Sequence, residues 1–159
     1  MRAFRLLAVL LPLVACGDPG AHVGEAPPAF SLTSLDGAAV DYPAQLSGKV
    51  VVLCFWATWC PPCRDEMRMI QAVWSRSRDK GLEVLAVNLG QDKGDVAGFV
   101  ARLGVAYPVL LDPGSKVTRR YGVTGLPMTL FVGRDGKIMG RILGETDEAT
   151  FRRKVEELL

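Results

Sequence analysis

A single histidine, His22, and four cysteines in 159 residues leave this chain short of metal ligands. A structural zinc site takes four ligands. Beside Cys60 and Cys63 only Cys16, Cys54 and His22 remain, and none is usefully spaced, so no metal is expected. An excess of charge of one sign is missing as well. The chain has 19 basic and 17 acidic residues, and without Arg2 and Arg5 the balance is 17 to 17. Nothing in that balance suggests a nucleic-acid partner. No repeat or low-complexity tract stands out, and the apolar stretch from Leu6 to Ala15 is too short to cross a bilayer. What is present is enough length for one domain with a substantial core and an apolar share of 49%.

The informative stretch is residues 50–66, Val-Val-Val-Leu-Cys-Phe-Trp-Ala-Thr-Trp-Cys-Pro-Pro-Cys-Arg-Asp-Glu. Val50 to Trp56 is uncharged, β-branched and aromatic, which predicts a strand buried on both faces. Cys60-Pro61-Pro62-Cys63 follows and leads into a helical period. Proline is tolerated in the first turn of a helix, where backbone N–H groups have no intrahelical partner, so Pro61 and Pro62 mark a helix start. Both sulfurs are thereby placed at a helix N-terminus. Unpaired N–H groups and the helix dipole favour an anion there, and the thiolate is the reactive form of cysteine. Cys60, ahead of the turn, is the expected nucleophile and the more exposed of the two thiols, and Cys63 is placed to close the disulfide and release a bound partner. A static disulfide or half of a zinc site is the alternative. The strand-to-helix setting favours redox chemistry.

Phe55-Trp56-Ala57-Thr58-Trp59-Cys60-Pro61-Pro62-Cys63-Arg64-Asp65-Glu66 resembles the active site of the TlpA/ResA-like thiol-disulfide oxidoreductases, a thioredoxin-fold family tethered outside the cytoplasm, and the likeness runs from about Ala26 to the C-terminus. The resemblance implies an α/β, thioredoxin-like three-layer fold: a mixed central sheet flanked by helices, an N-terminal β-hairpin and an inserted helix-strand unit. It also implies exchange with thiols or disulfides of an exported protein, most often reduction of a disulfide in apocytochrome c before haem attachment, with a membrane thiol transporter as electron donor. A monomer with no cofactor beyond a Cys60–Cys63 disulfide is expected.

Residues 1–15 pair the basic Arg2 and Arg5 with a short apolar core, the pattern of an export signal. Leu13-Val14-Ala15-Cys16 is similar to the bacterial lipobox, in which the cysteine becomes the lipidated first residue. Cleavage by an ordinary signal peptidase after Ala15 would put Leu13 where a small side chain is wanted, so Cys16 is expected to be a membrane anchor outside the redox chemistry. Residues 16–28, rich in Gly, Pro and Ala, read as a flexible tether, with a solvated His22 in it, and residues 29–159 as the domain.

Ala29–Leu35 and Ala38–Tyr42 flank Asp36-Gly37, a hairpin signal. A short turn or helix is expected over Pro43 to Ser47. In the helix from Pro61 to about Asp79, Met67, Ile70, Val73 and Trp74 form the inward stripe, and Glu66 falls on that same face one turn after Cys63. A partly buried acid there is expected to have a raised pKa and to move protons for the thiols. The alternative is an acid that only complements the dipole. The family carries a functional Glu at this place. It usually has Pro at the position of Arg68, and some members carry a second acid where this chain has Gln91. Cys54, where relatives often have Asn, is read as a small buried hydrophobe, or else as a third thiol beneath Cys63.

Leu82–Asn88 is a second buried strand, followed by a helix over Lys93–Leu103 ended by Gly104, a strand at Val109–Leu111 and a helix over Ser115–Tyr121. Gly125-Leu126-Pro127 precedes a strand over Thr129–Val132. The fold resemblance implies that Pro127 is cis and opposes the disulfide, which would leave the Leu126 backbone free to pair with an extended substrate. A trans proline opening an edge strand is the alternative. Asp135-Gly136 turns the chain into Ile138–Leu143, and Thr146 or Asp147 caps a last helix with Phe151, Val155, Leu158 and Leu159 inward. Trp56 is expected in the core and Trp59 over the disulfide. The expected site is therefore Cys60, Cys63 and Glu66, with Trp59, Pro61, Pro62, Leu126 and Pro127 framing the substrate. Two other classes compete with this reading. One is a thiol peroxidase of the peroxiredoxin class, which shares the fold but whose threonine-and-cysteine motif is missing here. The other is a copper-binding thioredoxin-like protein using the two thiolates.

Overall fold

The structure, a computed structural model, describes residues 20–159. The expected signal segment 1–15 and the lipid site Cys16 lie outside the described residues. The sheet is built from β1 (Phe30–Ser34), β2 (Ala39–Tyr42), β3 (Val50–Trp56), β4 (Leu82–Asn88), β5 (Val109–Leu111), β6 (Met128–Val132) and β7 (Ile138–Leu143). The helices are α1 (Pro61–Ser77), α2 (Lys93–Leu103), α3 (Lys116–Arg120) and α4 (Glu148–Glu156).

The seven strands run in the order β2-β1-β5-β4-β3-β6-β7. All of β3 is buried, as its uncharged run requires. It pairs in parallel with β4, from Val50↔Leu82 to Trp56↔Asn88, and antiparallel with β6, where Cys54 stands opposite Thr129. Alternation along β3 divides the core. Val50, Val52, Cys54 and Trp56 pack with α1, α2 and α4, while Val51, Leu53 and Phe55 pack with α3 and its neighbours. The result is helix, sheet and helix in three layers, with the β1–β2 hairpin at one edge. The α2–β5 unit inserts β5 between β1 and β4.

Local signals explain most boundaries. Gly37 takes a φ of +93° in the hairpin turn, where its N–H reaches the Ser34 carbonyl at 3.0 Å. Gly104 ends α2 in the left-handed conformation. Asp147 caps α4 by accepting from the Thr150 N–H at 2.8 Å. With no proline at Arg68, α1 runs unbroken for 17 residues and passes into a single 3-10 turn at Arg78–Lys80.

Two expectations needed revision. The helix expected over Ser115–Tyr121 shortens to α3, because Pro113–Ser115 first forms a 3-10 turn. There the buried Asp112 carboxylate accepts from the Val117 and Thr118 N–H groups and the Thr118 hydroxyl, at 3.1, 2.8 and 2.8 Å. The stretch read as a free tether is docked over its described part. Ala21 is buried and its N–H reaches the Tyr121 carbonyl, Gly24 and Glu25 bond Ile138, and the Tyr121 hydroxyl donates to the Pro28 carbonyl at 2.5 Å. Composition suggested flexibility, but these backbone groups find partners on the domain.

Candidate active site

β3 ends at Trp56, and a short loop runs from the buried Ala57 through the exposed Trp59 to Cys60, the N-cap of α1. The Cys60 side chain accepts from the Cys63 N–H at 3.3 Å, so the sulfur occupies the place a capping oxygen usually takes. Pro61 and Pro62 fill the first two helical positions, where no N–H is lost from the ladder. Cys60 and Cys63 form a disulfide with their Cα atoms 5.4 Å apart. Cys60 was expected to be the more exposed thiol, and it is, but only at 4% against 0% for Cys63. Access to the sulfur runs through a groove rather than from open surface.

That groove has a volume of about 400 Å³ and is lined by Trp59, Cys60, Pro61, Pro62, Leu89, Leu126 and the Val123–Gly125 segment. None of its lining residues is charged. Trp59 stands 66% exposed at its edge, whereas Trp56 is fully buried in the core. The Leu126–Pro127 bond is cis, as is Tyr42–Pro43, which carried no signal in the sequence. Pro127 itself is buried and is not among the groove's lining residues, and Leu126 is the residue presented to it. The β6 ladder begins at Met128↔Phe55, so Leu126 lies outside the strand pairing. The groove residues Val123, Thr124 and Leu89 were not anticipated, since nothing in their local pattern distinguishes them from core or turn.

Glu66 is buried, 5% exposed, one turn along α1 from Cys63. Its Oε1 accepts from the Thr129 hydroxyl at 3.2 Å, and its Oε2 is buried with no partner. Burial pushes its pKa up from 4.5 to about 7, the Thr129 hydrogen bond opposes the rise, and the negative charge of Glu145 adds to it. Such a group exchanges its proton near neutral pH. Cys54 is fully buried in the same apolar cluster as Cys60 and Cys63. Burial and the nearby Glu66 hold its thiol protonated well beyond the ordinary range, against the opposing Thr129 hydroxyl.

A second set of contacts holds the loop ahead of Cys60. The Gln91 side-chain oxygen accepts from the Thr58 N–H at 2.7 Å and from Asn88 Nδ2 at 3.0 Å, and its Nε2 donates to the Thr58 hydroxyl at 2.6 Å. The sequence marked Gln91 only as a missing acid. Among the described residues no group of three or more His, Cys, Asp or Glu is arranged to hold a metal ion.

The AhpC/TSA family model matches residues 23–141. The chain is 36% identical over 124 residues to the thiol-disulfide oxidoreductase ResA of Bacillus thuringiensis (strain Al Hakam), covering 78% of this chain and 71% of that protein. It superimposes on a putative thiol:disulfide interchange protein DsbE from Chlorobium tepidum with a TM-score of 0.82, at 30% identity over 87% of this chain and 99% of that one. A secreted Mycobacterium tuberculosis disulfide oxidoreductase described as homologous to E. coli DsbE gives a TM-score of 0.74 at 26% identity, covering 81% of this chain and 96% of that one.

Proposed function

Because the chain belongs to the AhpC/TSA family, and within it to the thiol-disulfide oxidoreductases of ResA type, we propose that it reduces disulfides of an exported protein through the Cys60–Cys63 dithiol. The observation that carries this reading is the position of the cysteine pair: Cys60 caps α1 and opens onto an uncharged groove.

In the reduced protein the Cys60 sulfur faces the N-terminal N–H groups of α1, a setting that lowers a thiol from about 8.5 to about 7 or below. Its thiolate attacks one sulfur of the substrate disulfide, forming a mixed disulfide and releasing the first substrate thiolate. Cys63 then gives its proton to Glu66 and attacks the Cys60 sulfur. The Cys60–Cys63 bond forms and the second substrate thiolate departs. Two electrons pass from protein to substrate, and a thiol reductant must restore the dithiol. Trp59, Pro61, Pro62 and Leu126 shape the groove, and the free backbone at Leu126 suits an extended segment paired as an added strand.

The export pattern at residues 1–15 and the lipobox-like Leu13-Val14-Ala15-Cys16 support a location outside the cytoplasm with Cys16 as lipid anchor. An apocytochrome c, presented unfolded with paired cysteines, is a fitting substrate, and a membrane thiol transporter is a fitting donor. The test is trapping in the cell envelope. Cys63→Ser is expected to hold an exported protein as a mixed disulfide that Cys60→Ser does not hold. Equal capture by both variants rules the reading out.

A further inference from the structure

Exchange moves protons as well as electrons, and the groove is a poor route for them. Its lining carries no charge, and a bound substrate segment covers it. On the other side of Pro62 lies a second cleft of about 290 Å³, lined by Asp65, Glu66, Met69, Glu145, Thr146 and Glu148, and Pro62 is the one lining residue the two share. The buried Oε2 of Glu66 has no hydrogen-bond partner in the protein. Of the cleft's other acids, Asp65 lies 3.6 Å from both Arg64 and Arg68, and Glu148 lies 3.2 Å from Arg76. Glu145, exposed on the turn between β7 and α4, has no ion-pair partner among the described residues.

We propose that this acidic cleft between α1 and the β7–α4 connection is the proton port of the exchange reaction, with Glu145 as a positioning residue that helps hold the proton on Glu66. The inference rests on the proposed role of Glu66 as proton acceptor for Cys63. In the resolving step the Cys63 S–H bond breaks and its proton goes to the Glu66 carboxylate. The Cys63 thiolate attacks Cys60 and expels the substrate thiolate. Glu66 then passes its proton to water in the cleft, while substrate still occupies the groove on the far side of Pro62. Other groups also face Glu66. Thr129 on β6 donates to it, and Cys54 on β3 and Tyr107 ahead of β5 lie near it, both with titrations displaced upward by burial. Glu145 is the cleft acid whose negative charge reaches Glu66.

Two measurements on the full chain test the port. The first follows the Glu66 carboxyl carbon by NMR through a pH titration. Glu145→Gln is expected to lower its midpoint by roughly 0.5 pH unit and Glu145→Lys by about twice that, whereas Asp65→Asn leaves it in place. The second times the resolving step from a preformed mixed disulfide between Cys60 and a peptide. Thr146→Trp, which fills the cleft, is expected to slow that step roughly tenfold and leave the first attack within about twofold. A Glu66 midpoint indifferent to both Glu145 variants, or wild-type resolution with the cleft filled, overturns the port. The titration does not depend on turnover, so loss of all exchange with the midpoints shifted as stated would instead count against the proposed function.

Discussion

Gln91 grips Thr58 at two atoms, accepting its backbone N–H at 2.7 Å and donating to its hydroxyl at 2.6 Å. Gln91 follows β4 and Thr58 follows β3, so the pair links two adjacent strand ends just ahead of Cys60. The loop carrying the nucleophile is thereby fixed to the sheet by groups that do not titrate.

Gln91→Ala leaves the Thr58 N–H and the Asn88 side chain short of a partner. The expected cost is about 1–2 kcal/mol in denaturant unfolding, with slower alkylation of Cys60 as its loop loosens. A variant as stable and as reactive as the parent would mean that the clamp has no positioning role.

Glu66 gives a stability test with a fixed sign. Its folded-state pKa of about 7 lies above the usual 4.5, so its protonated form is the one the fold favours. The stability it contributes is full at low pH and is lost as pH rises through 7. Relative to wild type, oxidised Glu66→Gln should therefore gain stability between about pH 4.5 and 7.5, by a difference on the order of 3 kcal/mol. Unfolding curves across that range that move in parallel would contradict the assigned burial of the carboxylate.

The groove predicts a split between substrates. Trp59→Ala should raise KM about tenfold for a peptide disulfide flanked by apolar residues, a loss of about 1.4 kcal/mol, and leave reaction with a small dithiol within about twofold. Equal losses toward both would place Trp59 on the disulfide itself rather than on the substrate.

The sequence made the central features legible because they are local. The uncharged run Val50–Trp56 specifies a buried strand, the two prolines specify a helix start, and the spacing from Ile70 and Val73 back to Glu66 turns its carboxylate inward. The hairpin and helix ends were readable from Asp36-Gly37, Gly104 and Asp147 for the same reason. What stayed hidden depends on partners far apart in the chain. Ala21 docks against Tyr121, Gln91 reaches Thr58, and Glu145 comes beside Glu66 only when α4 folds against α1. Periodicity carries no information about such contacts. The order of exposure was legible, Cys60 above Cys63, but its extent was not, because Trp59, Pro61 and Leu126 wall the Cys60 sulfur into a groove.

The claim most open to direct measurement is that Cys60, not Cys63 or Cys54, is the thiol that attacks. Reduced protein treated briefly with iodoacetamide across a pH series and mapped by mass spectrometry should carry the label on Cys60, with half-maximal rate at about pH 7 or below, and on the other two thiols at least tenfold more slowly. Labelling of Cys63 or Cys54 as fast as Cys60 would contradict the account.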